Sequence, residues 1–150
     1  MAHTYTSQLL HCVFSTKERR PLITPELQER LWPYIGGIAR ENGMKTLALG
    51  GMADHLHLLI SLPAKLSLSK AMQLLKGSSS KWVHDTFPEH RLFGWQEGYG
   101  AFSIGISDVD RTVNYIETQA THHQKYDFKA EFVSFLKKHG IEYDERYIWD

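Results

Sequence analysis

Cysteine is almost missing from this chain of 150 residues. The lone Cys12 excludes an intrachain disulfide and any zinc cage built from several thiolates. No stretch approaches the roughly 18 uncharged apolar residues that a membrane-spanning helix needs. The first residues, Met1 to Gln8, lack a basic stretch followed by a long apolar run, so no secretory signal is read. Internal repeats, low-complexity tracts and linkers are also lacking. Net charge is absent too, with seventeen Lys and Arg against seventeen Asp and Glu. Apolar content of 42% and charged content of 23% exclude a disordered or fibrous chain. The expectation is a single cytoplasmic domain over residues 1–150, with no membrane partner.

What charge there is lies unevenly. Residues 1–91 hold eleven basic and seven acidic residues, and residues 92–150 carry the compensating acidic excess. Between His55 and His84 all four formal charges are positive: Lys65, Lys70, Lys76 and Lys81. Polyanion binding depends on such local clusters rather than on the total, because nearby phosphates are what cations relieve of counterions. A solvated helix face would show the same pattern, so charge alone does not decide.

Ser7 to Thr16 is apolar and β-favouring and predicts a strand, with a charged turn from Lys17 to Pro21. Thr24-Pro25-Glu26 supplies an N-cap, a proline at the first helical position and an early acid, for a helix that Gly43 ends. Lys45–Leu49 and His55–Leu62 predict a hairpin joined through Gly50 to Asp54. A helix follows from Leu66–Ser69 towards Phe87, weakened at Gly77 to Ser80. Phe93 to Ile106 predicts a bent strand. Asp108 caps a helix to about Gln124, and a last helix covers Phe128 to His139 before Gly140. The order β-α-β-β-α-β plus two helices predicts an α+β, ferredoxin-like antiparallel sheet, with helices on one face and the other face free.

Two patterns carry chemistry. In Asp54-His55-Leu56-His57-Leu58, side chains two apart on a strand share a face, so both imidazoles project together while Leu56 and Leu58 enter the core. Two neutral imidazoles suit one divalent cation. Cupins and metal-dependent barrel hydrolases carry such pairs as well, but this chain is too short for a barrel and has too few strands for a cupin. The second pattern runs from Tyr115 to His123. At 100° per residue Gln119 lies about 40° from Tyr115 and His122 about −20°, placing phenol, amide and imidazole on one stripe.

The two patterns combine. A phenol of ordinary pKa near 10 needs help to lose its proton, and a phosphodiester under attack needs a cation to polarise it. His55 and His57, completed by an oxygen donor such as Gln119, would hold Mg²⁺ or Mn²⁺ with positions left for phosphate oxygens.

His55-Leu56-His57 resembles the His-hydrophobic-His motif of HUH nucleases. The spacing of Tyr115 and Gln119 resembles that of the single-tyrosine transposases of the two-hundred/six-hundred-and-five group of insertion sequences, whose lineage includes the repeat-associated (REP) tyrosine transposases. The opening His11 to Lys17 and the segment Gly94-Trp95-Gln96 to Phe102 fit as well, so the resemblance covers most of the chain. It implies that Tyr115 attacks single-stranded DNA to give a 5′-phosphotyrosine and a free 3′-hydroxyl. It further implies that His55, His57 and Gln119 hold the metal, and that a homodimer recognises imperfect hairpins at element ends. By position, His11, Lys17, Arg19, Arg20, Lys65, Lys70, Lys76, Lys81 and His122 are candidates for DNA contact.

Other residues carry less. Cys12 is expected to be an inert core thiol, and His84 and His90 surface residues. Trp82 is expected in packing, while Trp95 and Tyr99 could stack on unpaired bases. The acidic tail from Glu142 to Asp150 reads as a packed segment. Two rival functions stay open: a non-catalytic ferredoxin-like nucleic-acid-binding regulator, and a small hydrolase using His55 and His57 with water.

Overall fold

A computed structural model describes residues 3–119 and 127–149. Four strands, β1 (Leu9–Ser15), β2 (Lys45–Met52), β3 (His55–Ser61) and β4 (Gly100–Ile104), form one antiparallel sheet in the order β2-β3-β1-β4. Between and after them run α1 (Pro25–Glu41), α2 (Leu68–Thr86), α3 (Val109–Glu117) and α4 (Phe128–Lys138). This is the expected ferredoxin-like α+β arrangement, with the two crossover helices on one face.

The crossover helices form where their caps and apolar stripes dictate. Thr24 Oγ1 accepts from Leu27 N–H at 3.2 Å, Pro25 takes the first turn, and Leu27, Leu31, Ile35 and Ile38 bury one stripe. Gly43, at φ 80°, turns the chain out of α1. Ser67 caps α2 by accepting from Lys70 N–H. The Gly77 to Ser80 stretch does not interrupt α2. Ser79 is buried, donates to the Leu75 carbonyl at 2.6 Å and accepts from Trp95 Nε1 at 3.0 Å, so its hydroxyl is satisfied inside the helix. Against these helices the sheet turns Cys12, Phe14, Leu56, Leu58 and Ile60. Burial pushes the Cys12 thiol up to about 12, as an inert core thiol requires.

Four expectations need correction. β2 continues through Gly50, Gly51 and Met52, because the glycines pair with His57 and Leu56 instead of turning, and the hairpin turn is Ala53-Asp54 alone. The strand predicted over Phe93 to Ile106 is only Gly100–Ile104; the chain before it is irregular, touching the sheet through a bridge between Thr16 and Trp95. The helix predicted from Asp108 to about Gln124 ends at Glu117, and the Asp108 side chain pairs with Arg111 instead of capping it. Residues 120–124 of that prediction, with His122 and His123, lie outside the described residues.

The fourth correction decides the site. The second face of the sheet is not free. α4 lays Phe128, Phe132 and Leu136 on Val13 and Phe102, each large apolar side chain contributing about 1.5–3 kcal/mol by burial. α3 packs Ile116 on Ala48 and Leu59. A Cβ on Gly50 would stand 2.4 Å from the Ile116 carbonyl oxygen, so helix backbone rests directly on strand backbone there. Helices therefore cover both faces, and β3, central in the sheet, is buried on both sides.

Candidate active site

His55 and His57 stand side by side on β3 facing α3 and α4, as the two-residue period requires. Both are fully buried, not displayed on an open face. Phe128 roofs His55, its ring parallel at 4.0 Å between centroids. Each imidazole is held from behind. Asp54 Oδ1 accepts from His55 Nδ1 at 2.8 Å, and His57 Nδ1 lies 2.8 Å from Nε2 of His11, its diagonal neighbour on β1. Both bonds leave Nε2 pointing into the site.

Two oxygen-bearing groups meet those two nitrogens, and a third joins them through Glu131. Glu131 Oε1, from α4, lies 2.8 Å from His57 Nε2 and 3.7 Å from His55 Nε2. Gln119 Oε1 lies 3.1 Å from His55 Nε2. Its orientation is fixed because Gln119 Nε2 donates to the Tyr115 carbonyl at 3.1 Å. Finally, the Tyr115 hydroxyl donates to Glu131 Oε2. With Nδ1–H committed to Asp54, His55 Nε2 faces Gln119 Oε1, an arrangement that suits a cation between them.

His55, His57 and Glu131 each offer a ligand atom within 4.8 Å of the others, the only such group of three His, Cys, Asp or Glu among the described residues. Two imidazoles, a carboxylate and an amide oxygen suit a first-row or Mg²⁺-like divalent ion, with Asp54 and His11 behind the histidines. The donor set therefore fits a divalent metal.

The surrounding charge is polarised. Burial would raise the Glu131 pKa. The hydrogen bond and charge of His57, with the Tyr115 bond and the charge of His55, outweigh it and hold the carboxyl down to about 2. His11 moves the other way for a histidine: burial first, then the adjacent His57, lower it to about 3, so it is neutral at pH 7.

The candidate residues thus separate. The structure brings together Tyr115, His55, His57 and Gln119, and adds Glu131, which the sequence reading missed. His11, expected at a DNA surface, is instead 4% exposed and packed among rings. Lys17 and Lys76 line one groove between α2 and the segment before β4, where Lys76 Nζ donates to the Glu97 and Gly98 carbonyls. Arg19 lies over the Trp149 ring and Arg20 pairs with Glu18. Lys65 and Lys70 are exposed on and before α2, and Lys81 pairs with Asp85. Trp95 is buried and unable to stack on a base, whereas Trp82 stacks on Tyr34 as packing predicts. His84 is exposed, as expected, and bonds the Phe93 carbonyl at 2.7 Å. Trp149 of the tail packs on Phe128 and Phe132.

Known proteins share this plan. The family described as "Transposase IS200 like" matches residues 4–119. The ISDra2 transposase TnpA of Deinococcus radiodurans is 26% identical over 121 residues, spanning 77% of this chain and 86% of that protein. The transposase for insertion sequence element IS200 of Salmonella typhimurium is 29% identical over 125 residues, 79% of this chain and 81% of the relative. Among solved structures, a Deinococcus radiodurans transposase superposes with a TM-score of 0.63 at 24% identity, covering 79% of this chain and 96% of its own. A REP-associated tyrosine transposase, solved bound to a REP hairpin, does so with a TM-score of 0.61 at 17% identity, covering 82% and 73%.

Proposed function

Because this chain belongs to the IS200-like transposase family and is a DNA transposase, we propose that it cuts and rejoins single-stranded DNA with Tyr115 as the nucleophile. The observation that carries this reading is the convergence of the Tyr115 hydroxyl and His57 on one carboxylate, Glu131, with Gln119 on His55 beside it. A phenol held at a two-histidine cluster suits phosphoryl transfer.

In the proposed reaction the Tyr115 oxygen bonds to phosphorus, the bond to the 3′-oxygen breaks, and the phenolic proton leaves through solvent while the 3′-oxygen takes one up. The products are a 5′-phosphotyrosine and a 3′-hydroxyl. The phosphotyrosine keeps the bond energy, so attack by a 3′-hydroxyl reseals a strand and returns the phenol. His55, His57, Gln119 and Glu131 would hold the divalent ion, Mg²⁺ or Mn²⁺. When bound, it supplies the positive charge that polarises the phosphodiester. Asp54 and His11 hold the two imidazoles with Nε2 forward, and the bond from Gln119 to the Tyr115 carbonyl ties the amide to the nucleophile's own helix turn.

The substrate proposed is a strand carrying a hairpin. The resemblance to REP-associated transposases, one of which is solved on such a hairpin, supports this. The proposed working unit is a homodimer, checked by light scattering of the purified protein. Tyr115 meeting its own chain's histidine through Glu131 favours cleavage within one subunit.

An end-labelled, hairpin-bearing single strand with Mn²⁺ or Mg²⁺ tests the proposal. The wild type should yield a covalent protein–DNA adduct on a denaturing gel, and Tyr115→Phe none. Cutting that survives Tyr115→Phe would make the protein a water-using hydrolase; strand retention without cutting would make it a binding regulator.

A further inference from the structure

Beside Tyr115 lies a cavity of about 360 Å³ that the reaction above leaves unused. Three elements each lend it one face. Arg111 and Tyr115 stand one turn apart on α3, just after Asp108, and Phe135 and Lys138 one turn apart on α4. Phe102, on the outer strand β4, closes the third side.

The lining mixes chemistries as an unpaired nucleotide requires. Phe135 is half-buried and backed by Phe102, ring on ring at 5.4 Å and 20°, an aromatic surface for a base. Arg111 and Lys138 are exposed and bring positive charge to the rim. Asp108 contributes acceptor oxygens, with Oδ1 held by Arg111 at 2.6 Å. The volume is at the lower end of the roughly 300–1,000 Å³ of ligand pockets, the right scale for one nucleotide.

The way out of the site points here as well. His55, His57 and Glu131 are enclosed, whereas Tyr115 is only half-buried and forms part of the cavity wall. A strand joined to the Tyr115 oxygen leaves through this opening.

We propose that the cavity binds one unpaired deoxynucleotide of the strand that Tyr115 cuts, its base against Phe135 and its flanking phosphates at Arg111 and Lys138. The pocket then discriminates among bases next to the cut. Its placement at the cut rests on Tyr115 being the nucleophile, but its binding is measurable without cleavage.

The experiment is fluorescence anisotropy of the full chain, without divalent metal, using labelled hairpin-free strands of oligo-dT, oligo-dC and oligo-dA. Phe135→Leu removes the ring offered to the base while keeping an apolar side chain; Arg111→Ala with Lys138→Ala removes the rim cations. Each variant should bind its best strand about tenfold more weakly, the scale of one lost base stack, while a thermal melt shows it folded at the assay temperature. The three strands should bind unequally to the wild type. Weakening of more than twofold in a folded variant supports the pocket. Affinities within twofold of wild type, or a wild type that binds no strand, overturn it. If Phe135→Leu fails to fold, the double alanine variant decides. An adduct formed by the wild type while both variants bind normally removes the pocket and leaves Tyr115 in place. Pocket-dependent binding with no adduct does the reverse.

Discussion

The Tyr115 hydroxyl donates to Glu131, sixteen residues further along the chain and on a different helix. Because the same carboxylate also meets His57, one side chain ties α3, α4 and β3 together. A change at any of the three reaches the other two.

Removing His57 therefore costs stability as well as chemistry. His57→Ala leaves the Glu131 carboxylate buried without its strongest partner, and breaking a buried pair costs about 3–5 kcal/mol. A histidine on an open face would cost within about 0.5 kcal/mol. Urea unfolding at constant m distinguishes the two, and a loss below about 1 kcal/mol contradicts the buried site.

Acid should weaken the fold in two stages. His11 is held at about 3 against its ordinary 6.5, so between those values the unfolded chain binds more protons. Its contribution to stability is complete above pH 6.5 and falls as the pH drops, by about 2 kcal/mol at pH 5. Glu131, at about 2 against 4.5, adds a second loss only as the pH falls below 4.5. Thermal melts at pH 7 and pH 5 should show a drop in the wild type that shrinks in His11→Gln. An equal drop in both would remove His11 as its source.

Metal affinity should rank the oxygen donors. Glu131→Ala removes a full negative charge from the group and should weaken Mn²⁺ binding more than Gln119→Ala, where water can take the amide's position. Asp54→Ala, which frees the His55 ring, should cost about 10–100-fold. Calorimetric Mn²⁺ titrations read all three, and a Gln119→Ala curve matching wild type would take Gln119 off the list of ligands.

Trp95 should matter to the core and not to the strand. Trp95→Phe removes the indole donor to Ser79 and should destabilise the fold by about 1 kcal/mol. Anisotropy with unpaired strands should be unchanged, and weakened binding would restore Trp95 to the DNA surface.

The parts of this fold legible in the sequence are those with local causes. Thr24-Pro25 caps α1, Gly43 ends it, and the period of two in His55 to Leu58 puts the imidazoles together. Glu131 was illegible because its chemistry is non-local. A glutamate in the first turn of an amphipathic helix is ordinary, and only the seating of Phe128 and Phe132 on the sheet carries it to His57. The same seating hides His11, which in sequence is one more polar residue on a strand. Gly50-Gly51 misleads for the opposite reason: glycines that suggest a turn instead thin a strand so that another backbone can rest on it.

That thinness makes position 50 a gauge of decay in relatives. A descendant that swaps Tyr115 for phenylalanine but keeps the bare backbone beneath Ile116 preserves the cradle, and one reversion restores the scissors. A descendant with alanine at 50 would spell every reactive letter correctly while its nucleophile rides on a dislodged support, so a search that scores only the reactive letters would count it as intact.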